Sequence, residues 1–328
     1  MQNTKVPVLV FGALFGVVLS PVSGKTPKLA TPNLSQIQAV LAKYPRQILS
    51  MQSTSTIETK LGNASYLGNQ DPKSAPPADN VSKETWAFKD GKLYDHLTDL
   101  HDSFTVAPRE FHSINRTWIY DGKSQYLINA EKTDQGVATY GNLQHHLAGD
   151  PGWPPLSFGY KYSLNWIGDI LKHGAVIEGA VNDPAYGPLI IVSAKYRDSN
   201  LRFWLAPKYG YVAVKTEAHT QYTGTVKLST YSASGYREYG HLWMPTIGQF
   251  SGGRIENNKR STFVTKAIRF SNIKINQTPD SLFAFKFPIG SALWDEDLQK
   301  KYIMNPSGKW VQPVGFNRRM HADSPASL

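Results

Sequence analysis

Residues Ile268–Asp295, IRFSNIKINQTPDSLFAFKFPIGSALWD, set the architecture that the rest of the chain follows. They begin as a long strand, continue through a turn of helix opened by Thr278-Pro279-Asp280, and end in a short apolar run that Pro288 and Gly290 close. A strand that ends on an apolar tail predicts the closing edge of a curved antiparallel sheet. The functional question is what such a sheet encloses.

The strand pattern fills most of the chain from Lys83 onward. Asp90-Gly91 and Asp121-Gly122 each lie between two extended runs. Asp-Gly in that position is a strong signal for a tight hairpin, because glycine accepts the positive φ that such turns need. The extended runs, about ten in all, are joined by short turns. The prediction is a mainly β (α+β) fold with a single large curved antiparallel sheet and a few helices on its concave side.

Two helices are predicted beside this sheet. Asn33 and Gln36 have the spacing of a capping box, and the helix that follows is predicted to end at Pro45. A second helix is predicted over residues 163–172, where it would be a lid or a core plug in the middle of the sheet. The apolar face of this second helix consists of Leu164, Ile167 and Leu171.

The chain divides into three predicted parts: a secretory signal at residues 1–24, a β domain at residues 25–302 and a flexible tail at residues 303–328. Lys5 precedes an apolar run, Val6–Leu19, and small residues offer a cleavage site near Gly24. An uncleaved membrane anchor is the alternative interpretation of this run. An exported chain without cysteine fits the periplasm of a Gram-negative-type bacterium, because small extracellular animal domains depend on disulfides.

The composition excludes several classes of protein. The lack of cysteine excludes disulfides, thiolate metal sites and lipid attachment at a cleavage-site cysteine. The net charge of +10 comes from scattered basic residues, so we expect anionic envelope components and no nucleic acid as partners. The chain holds no G-x-S-x-G, H-E-x-x-H, Walker or dinucleotide-binding motif. We therefore predict no catalytic residue and no cofactor.

Three titratable clusters could carry chemistry. Asp95-His96 with His101-Asp102 offers metal ligands, but the period of two places the two histidines on opposite faces of a strand. His145-His146 is interpreted as a surface pair. Asp295-Glu296-Asp297 is either an acidic pair for hydrolysis or a solvated run of charges, and the second interpretation is favoured. We therefore predict no metal site.

A stronger signal is a series of aromatic and aliphatic residues at period two on several strands. Side chains at this spacing share one face of a sheet, and they line an apolar groove if that face is concave and open. The alternative is an ordinary core under a covering helix. The predicted groove residues are Trp86, Phe88, Trp118, Tyr120, Phe203, Leu205, Leu242, Met244 and Phe263.

Several segments occur in the order found in one known family. Thr85–Tyr94 holds a tryptophan-bearing strand with an Asp-Gly hairpin, Trp118–Tyr126 surrounds an Asp-Gly-Lys turn, and Asp280–Asp295 ends with Phe, Pro and Gly in series. Phe203–Tyr211 is similar to a middle hairpin of the outer-membrane lipoprotein-sorting proteins. Through these segments, residues 33–297 resemble the bacterial periplasmic lipoprotein carriers, the LolA-like family with its LolB-like and RseB-like relatives.

The resemblance implies an unclosed β-barrel around a helical lid, with lipid or acyl chains held in an apolar groove. In the carriers an arginine of the first hairpin clamps the lid. The matching stretch here, Phe88–Lys92, holds no arginine, so the chain departs from the family at this point.

The resulting hypothesis is a periplasmic, non-enzymatic carrier or sorting protein for an apolar ligand, such as lipoprotein acyl chains or another envelope lipid. The expected partners are a lipid or an acylated protein, an envelope protein, and the membrane surface as a peripheral contact. The chain itself is expected to be a monomer. Two alternatives stay open: an envelope sensor or assembly protein that uses the same fold for protein contacts, and a hydrolase acting through Asp295 or His96.

Overall fold

The computed structural model describes residues 32–61, 79–102, 112–133, 136–147, 152–222, 225–256 and 259–313. The predicted signal peptide, residues 1–24, lies outside the described residues, as does the end of the predicted tail from residue 314. In the part of the chain that is described, no helix has the length and hydrophobicity needed to span a membrane.

The first helix begins with the capping box that the sequence predicts. In α1 (Leu34–Leu41), Asn33 Oδ1 accepts a hydrogen bond of 2.9 Å from the backbone N–H of Gln36, and Gln36 Oε1 accepts one of 3.0 Å from the N–H of Asn33. The predicted end at Pro45 is wrong, because α1 stops at Leu41 and Pro45 lies in the first turn of a second short helix, α2 (Tyr44–Gln47). Proline fits there because the first turn of a helix needs no N–H donor.

Twenty strands are assigned in the described residues, so the fold is mainly β, as predicted. The first ten are β1 (Ser50–Leu61), β2 (Asp79–Lys89), β3 (Lys92–Asp102), β4 (His112–Tyr120), β5 (Gln125–Thr133), β6 (Gly136–Gln144), β7 (Lys161–Tyr162), β8 (Asn165–Trp166), β9 (Val176–Asp183) and β10 (Gly187–Tyr196). The next ten are β11 (Ser199–Ala206), β12 (Val212–Tyr222), β13 (Thr225–Ser234), β14 (Arg237–Tyr239), β15 (Leu242–Met244), β16 (Ile247–Glu256), β17 (Lys259–Ile275), β18 (Ala292–Asp295), β19 (Lys300–Met304) and β20 (Trp310–Val311).

Sixteen of these strands form one large curved sheet that is not closed into a barrel, which confirms the predicted fold class. Its order is β20-β19-β18-β6-β5-β4-β3-β2-β1-β17-β16-β13-β12-β11-β10-β9. Neighbours are antiparallel except for the parallel pair β6–β18. Both predicted Asp-Gly hairpins are confirmed, with φ of 49° at Asp90, 77° at Gly91 and 98° at Gly122.

The prediction that residues 268–295 close the edge of the sheet is wrong. β17 lies in the middle of the sheet, where it pairs with β1 on one side and β16 on the other. The chain then makes the expected turn of helix at Asp280–Phe283, crosses the sheet without forming a strand in the apolar run, and returns as β18 beside β6. β19 and β20 extend the sheet to Val311, which lies within the segment that the sequence predicts as a tail.

One face of the sheet carries the hydrophobic core. Directly opposed residues of antiparallel strands point to the same side, so Ser55 shares a face with Glu84 on β2 and Phe270 on β17. We call this the inner face. Residues 152–171, here named the covering segment, pack over it and bury Leu156, Phe158 and other apolar side chains within the main core cluster.

The covering segment does not contain the long helix predicted from Ser163. A short hairpin, β7–β8, occupies residues 161–166 with Ser163 at a φ of 55°, and one turn of helix follows as α3 (Ile167–Ile170). A positive φ at Ser163 is incompatible with a helix start, and local pairing of the hairpin replaces the first helical turn. The predicted apolar face nevertheless contacts the core, because Ile167 and Leu171 are buried and Leu164 is packed against it.

Candidate functional site

Most of the predicted groove residues share the inner face. Trp86 lies opposite Asp95, which lies opposite Trp118, so all three point to one side of the sheet. Phe203 lies on the same side. It is opposite Thr216, and successive directly opposed residues lead from there through Tyr231 and Phe250 to Lys266. By the period of two, the inner-face members of the predicted set are Trp86, Phe88, Trp118, Tyr120, Phe203 and Leu205.

Three predicted residues lie elsewhere. Leu242 and Met244 belong to the separate hairpin β14–β15, although both are buried in the same core cluster. Phe263 is the extra residue of a bulge in β17, and its ring centroid lies 5.0 Å from the guanidinium of Arg254. A bulge interrupts the period of two, so the sequence pattern placed Phe263 with the others incorrectly.

The inner face is a filled core rather than an open groove. The exposed fraction is 2% for Trp86 and 0% for Phe203 and Leu205. A surface cavity of about 480 Å³ is lined by Gln47, residues 239–242 and residues 273–277, and Leu242 is the member of the predicted set that it includes. A ligand that reaches Trp86, Phe203 or Leu205 must displace the covering segment.

Trp153 of the covering segment contacts two aromatic rings of the sheet, as Phe158 and Tyr162 also do. Its ring centroid lies 4.6 Å from that of Phe250 and 6.2 Å from that of Tyr231, while Phe158 of the same segment lies 6.4 Å away. The ammonium group of Lys266 lies 4.6 Å from the Trp153 ring centroid, which is within the range of a cation–π interaction. The indole of Trp153 thus contacts two aromatic rings of the sheet and the ammonium group of Lys266.

Beneath Trp153 lies a buried group of ionisable side chains. The side chains of Glu84 and Asp95 are joined by a hydrogen bond, and each residue is only 3% exposed. Ser55 Oγ donates a hydrogen bond of 2.8 Å to Glu84 Oε2, and the backbone N–H of Trp153 donates one of 2.8 Å to Glu84 Oε1. Lys266 is the nearby cation, and it is half-buried. The covering segment is therefore attached to the sheet through a carboxylate as well as through apolar packing.

Burial dominates the protonation of this cluster. Burial raises the pKa of Glu84 above its ordinary value, and the hydrogen bonds from Ser55 and Trp153 oppose that change only in part. Burial also lowers the pKa of Lys266, against the attraction of Glu84 and Asp95. Both shifts favour the neutral forms, as expected where water is excluded.

Gly152 allows the covering segment to approach the carboxylates this closely. Its φ is +75°, and a Cβ at this position would lie 2.4 Å from Glu84 Oε1 and 3.1 Å from Asp95 Cγ. Only glycine combines this backbone conformation with the lack of a side chain. The contact explains why a glycine precedes Trp153 in the sequence Gly152-Trp153-Pro154-Pro155.

The structure places the titratable residues of the three predicted clusters in different environments. Asp95 lies on the inner face, whereas His96 lies on the opposite face, where its Nδ1 is 2.8 Å from Thr117 Oγ1. The side chain of His101 lies outside the described residues. The interpretation of Asp295 as part of a solvated run is wrong, because Asp295 is 1% exposed and its Oδ2 lies 3.1 Å from His145 Nε2. The parallel pairing of β18 with β6 places it there.

Comparison with known proteins gives a distant likeness among solved structures. No protein-family model matches the chain. No curated protein matches it either. Among solved structures, the chain is similar to a LolA superfamily protein from Nitrosomonas europaea, with 11% sequence identity, a TM-score of 0.38, and coverage of 78% of this chain and 99% of that chain.

Sequence reasoning missed Glu84 and Lys266, although a signal for one of them was present. Glu84 has the same strand parity as Trp86 and Phe88, so a carboxylate had to lie on the face interpreted as apolar. A charged side chain on a buried face requires a partner. Lys266 could not be recognised as a nearby cation, since the pairing of β17 with β1, which brings Lys266 toward β2, joins segments far apart in the chain.

Proposed function

We propose that this chain is a non-enzymatic binding protein that holds an apolar ligand on the inner face of its sheet after the covering segment has moved aside. Acyl chains of a lipid or of an acylated protein are the ligands that fit best. The aromatic and aliphatic side chains of the inner face support this proposal, together with the sequence resemblance to the lipoprotein carriers. The proposed location is the periplasm, on the evidence of the N-terminal sequence alone.

The observation that carries the proposal is the ionisable cluster beneath the cover. A permanent core gains little from buried charges, because replacing such a group by apolar side chains is often neutral or stabilising. Glu84, Asp95 and Lys266 are nevertheless held under Trp153. Such a cluster suits a surface that is exchanged between a covered state and an open one, since water can hydrate the same groups when the covering segment leaves.

The energetics set the kind of ligand that can open the site. Displacing the cover exposes Leu156, Phe158 and Tyr160, which are between 0% and 2% exposed in the covered state. Each methylene of a ligand that enters the vacated space contributes about 0.8 kcal/mol. A long acyl chain can therefore replace the apolar contacts that are lost, whereas a small polar ligand cannot.

A first experiment asks whether the purified chain carries or accepts acyl ligands. Organic extraction followed by mass spectrometry should recover lipid, and a pyrene-labelled fatty acid should bind the delipidated protein and raise its melting temperature. Phe158→Ala weakens the cover and should raise the affinity for this fatty acid. Phe285→Ala is the matched control, because Phe285 is 37% exposed and lies outside the cover.

Recovery of no lipid, combined with an unchanged melting temperature in the presence of acyl ligands, would contradict the proposal. That outcome would favour the alternative of an envelope sensor or assembly protein that uses the sheet for protein contacts. Turnover of a substrate that Asp295→Ala abolishes would instead support a hydrolase.

A further inference from the structure

Residues of the types that bind metal ions come together at another part of the sheet, where β18 pairs with β6. The parallel pairing of β18 with β6 places Asp295 beside Leu143, and the turn that follows β18 then lies next to His145. The backbone N–H of Glu296 donates a hydrogen bond of 2.9 Å to the carbonyl of Leu143, which fixes this turn against the end of β6. Two segments separated by 150 residues are thereby brought together at one point.

Three donor atoms converge at this point. Ligand atoms of His145, Asp295 and Asp297 all lie within 4.8 Å of one another. The Nε2 atom of His145 is 3.1 Å from Asp295 Oδ2, and the backbone N–H of His145 donates a hydrogen bond of 2.5 Å to Asp297 Oδ2. Two tetrahedral ligand atoms at bonds of about 2.0–2.2 Å to one metal ion lie about 3.4 Å apart, so the pair at 3.1 Å is already close to that separation and a wider pair must close toward it.

The surroundings orient these donors toward one another. Asp295 is 1% exposed, and its Oδ1 accepts a hydrogen bond of 2.9 Å from the N–H of Leu298, so its Oδ2 is left facing the imidazole. The other ring nitrogen of His145, Nδ1, lies 3.4 Å from Ser124 Oγ. An oxygen partner for Nδ1 is the arrangement that commonly leaves the Nε2 of a histidine free to bind a metal.

The neighbouring acidic residue is held out of the donor set. The amide groups of Asn142 and Gln144 donate hydrogen bonds to the two carboxylate oxygens of Glu296. Glu296 therefore interacts with β6 rather than with the converging atoms. The chain thus supplies one imidazole nitrogen and two carboxylates, a mixed nitrogen and oxygen set that favours first-row divalent ions such as Zn²⁺ over Ca²⁺, which prefers oxygen ligands alone.

We propose that His145, Asp295 and Asp297 form a binding site for a divalent first-row transition metal ion, with Zn²⁺ as the ion to test first. This inference is independent of the proposed ligand-binding function. Two carboxylates near one imidazole carry a local charge that a divalent cation neutralises. The bound ion would connect the turn after β18 to the end of β6 and so stabilise the attachment of β18, β19 and β20, a region held to the main sheet by a parallel pairing of four residues.

The test uses the full chain after treatment with a chelator. Titration with ZnCl₂ in a calorimeter should show one ion bound per chain, and the melting temperature should rise with Zn²⁺ but not with CaCl₂. Asp297→Asn and His145→Gln should each weaken Zn²⁺ binding at least tenfold. Asp297 is more than a third exposed at its side chain, so its substitution tests the site without disturbing a buried group.

Glu296→Gln is the matched control, because this acidic neighbour lies in the same turn and outside the donor set. It should bind Zn²⁺ as the unsubstituted chain does. A chain that binds no Zn²⁺ at this stoichiometry would overturn the proposal. Binding that Asp297→Asn and His145→Gln leave unchanged would overturn it too, since the ion would then be held elsewhere on the surface.

Discussion

The backbone N–H of Trp153 donates a hydrogen bond of 2.8 Å to the Oε1 atom of Glu84, a carboxylate that stands on the inner face of the sheet. This bond joins the covering segment to the inner face of the sheet. Removing the bond, changing its protonation or preventing the segment from leaving should each have a distinct and measurable effect.

Glu84→Ala removes the acceptor for Trp153 and leaves the hydroxyl of Ser55 without the same partner. A buried donor that loses its acceptor costs about 1–3 kcal/mol, so the free energy of unfolding in urea should fall by about that amount. Amide hydrogen exchange should accelerate within residues 152–171. Glu58→Ala is the control, because Glu58 lies on β1 with a partly exposed carboxylate, and a surface change of this kind costs within about 0.5 kcal/mol. Equal losses in both variants would contradict the inference that Glu84 holds the covering segment on the sheet.

The stability of the fold should depend on pH through Glu84. Burial raises the pKa of Glu84 above its ordinary value of 4.5, so the folded chain binds this proton more tightly than the unfolded chain does. The contribution to the free energy of unfolding is therefore complete below about pH 4.5 and is lost as the pH rises toward the raised pKa. The charged and polar groups that face Glu84 are Asp95, Lys266, Ser55 and the N–H of Trp153.

Urea unfolding of the natural chain and of Glu84→Gln between pH 4.5 and pH 7.5 measures the contribution of Glu84 to the free energy of unfolding. Glutamine is the suitable substitution because it keeps a hydrogen-bond acceptor and does not titrate. The stability of the natural chain relative to the variant should decrease as the pH rises. A relative stability that increases with pH would show that Lys266 holds Glu84 in its ionised form. Lys266 itself contributes with the opposite sign: since burial lowers its pKa, stability increases with pH between the lowered value and its ordinary 10.5.

Two glycines with similar backbone angles separate strain from steric contact. Gly152 has a φ of +75° and Gly174 a φ of +71°, but a Cβ would meet Glu84 Oε1 at 2.4 Å in the first case and nothing within 4 Å in the second. Gly174→Ala should cost about 1 kcal/mol from the left-handed conformation alone. Gly152→Ala should cost at least about 2 kcal/mol more, because overpacking is added to the strain. Equal costs in urea unfolding would mean that residues 152–155 shift freely away from Glu84.

The features that the sequence predicted correctly are those that local chemistry determines. The capping box of Asn33 and Gln36 and the hairpins at Asp90-Gly91 and Asp121-Gly122 each depend on residues that are close in the chain. Strand parity also placed Trp86, Phe88, Trp118 and Tyr120 on one face. The fold class followed from the same short-range patterns.

Two of the errors concern the pairing of distant segments. The central position of β17 depends on its partners β1 and β16, and no local feature distinguishes a central strand from an edge strand when both are apolar on one face. The same reason hides the meeting of His145 with Asp295 at the β6–β18 pair. The helix predicted from Ser163 followed the apolar spacing of Leu164, Ile167 and Leu171, but that spacing was met by a hairpin and a single helical turn.

Locking the covering segment to the sheet tests the central claim most directly. The natural chain has no cysteine, so an engineered pair forms a single disulfide. A Cβ on Gly159 would lie 2.5 Å from Val212 Cγ1, which sets the two Cβ atoms near the separation of about 3.5–4.5 Å that disulfides need.

The measurement is the affinity of the Gly159→Cys, Val212→Cys chain for the pyrene-labelled fatty acid before and after reduction. The oxidised chain should bind at least tenfold more weakly than the reduced chain, because the cover can no longer leave the inner face. The same affinity in both states would contradict the account, since the ligand would then bind at a place that the covering segment does not control.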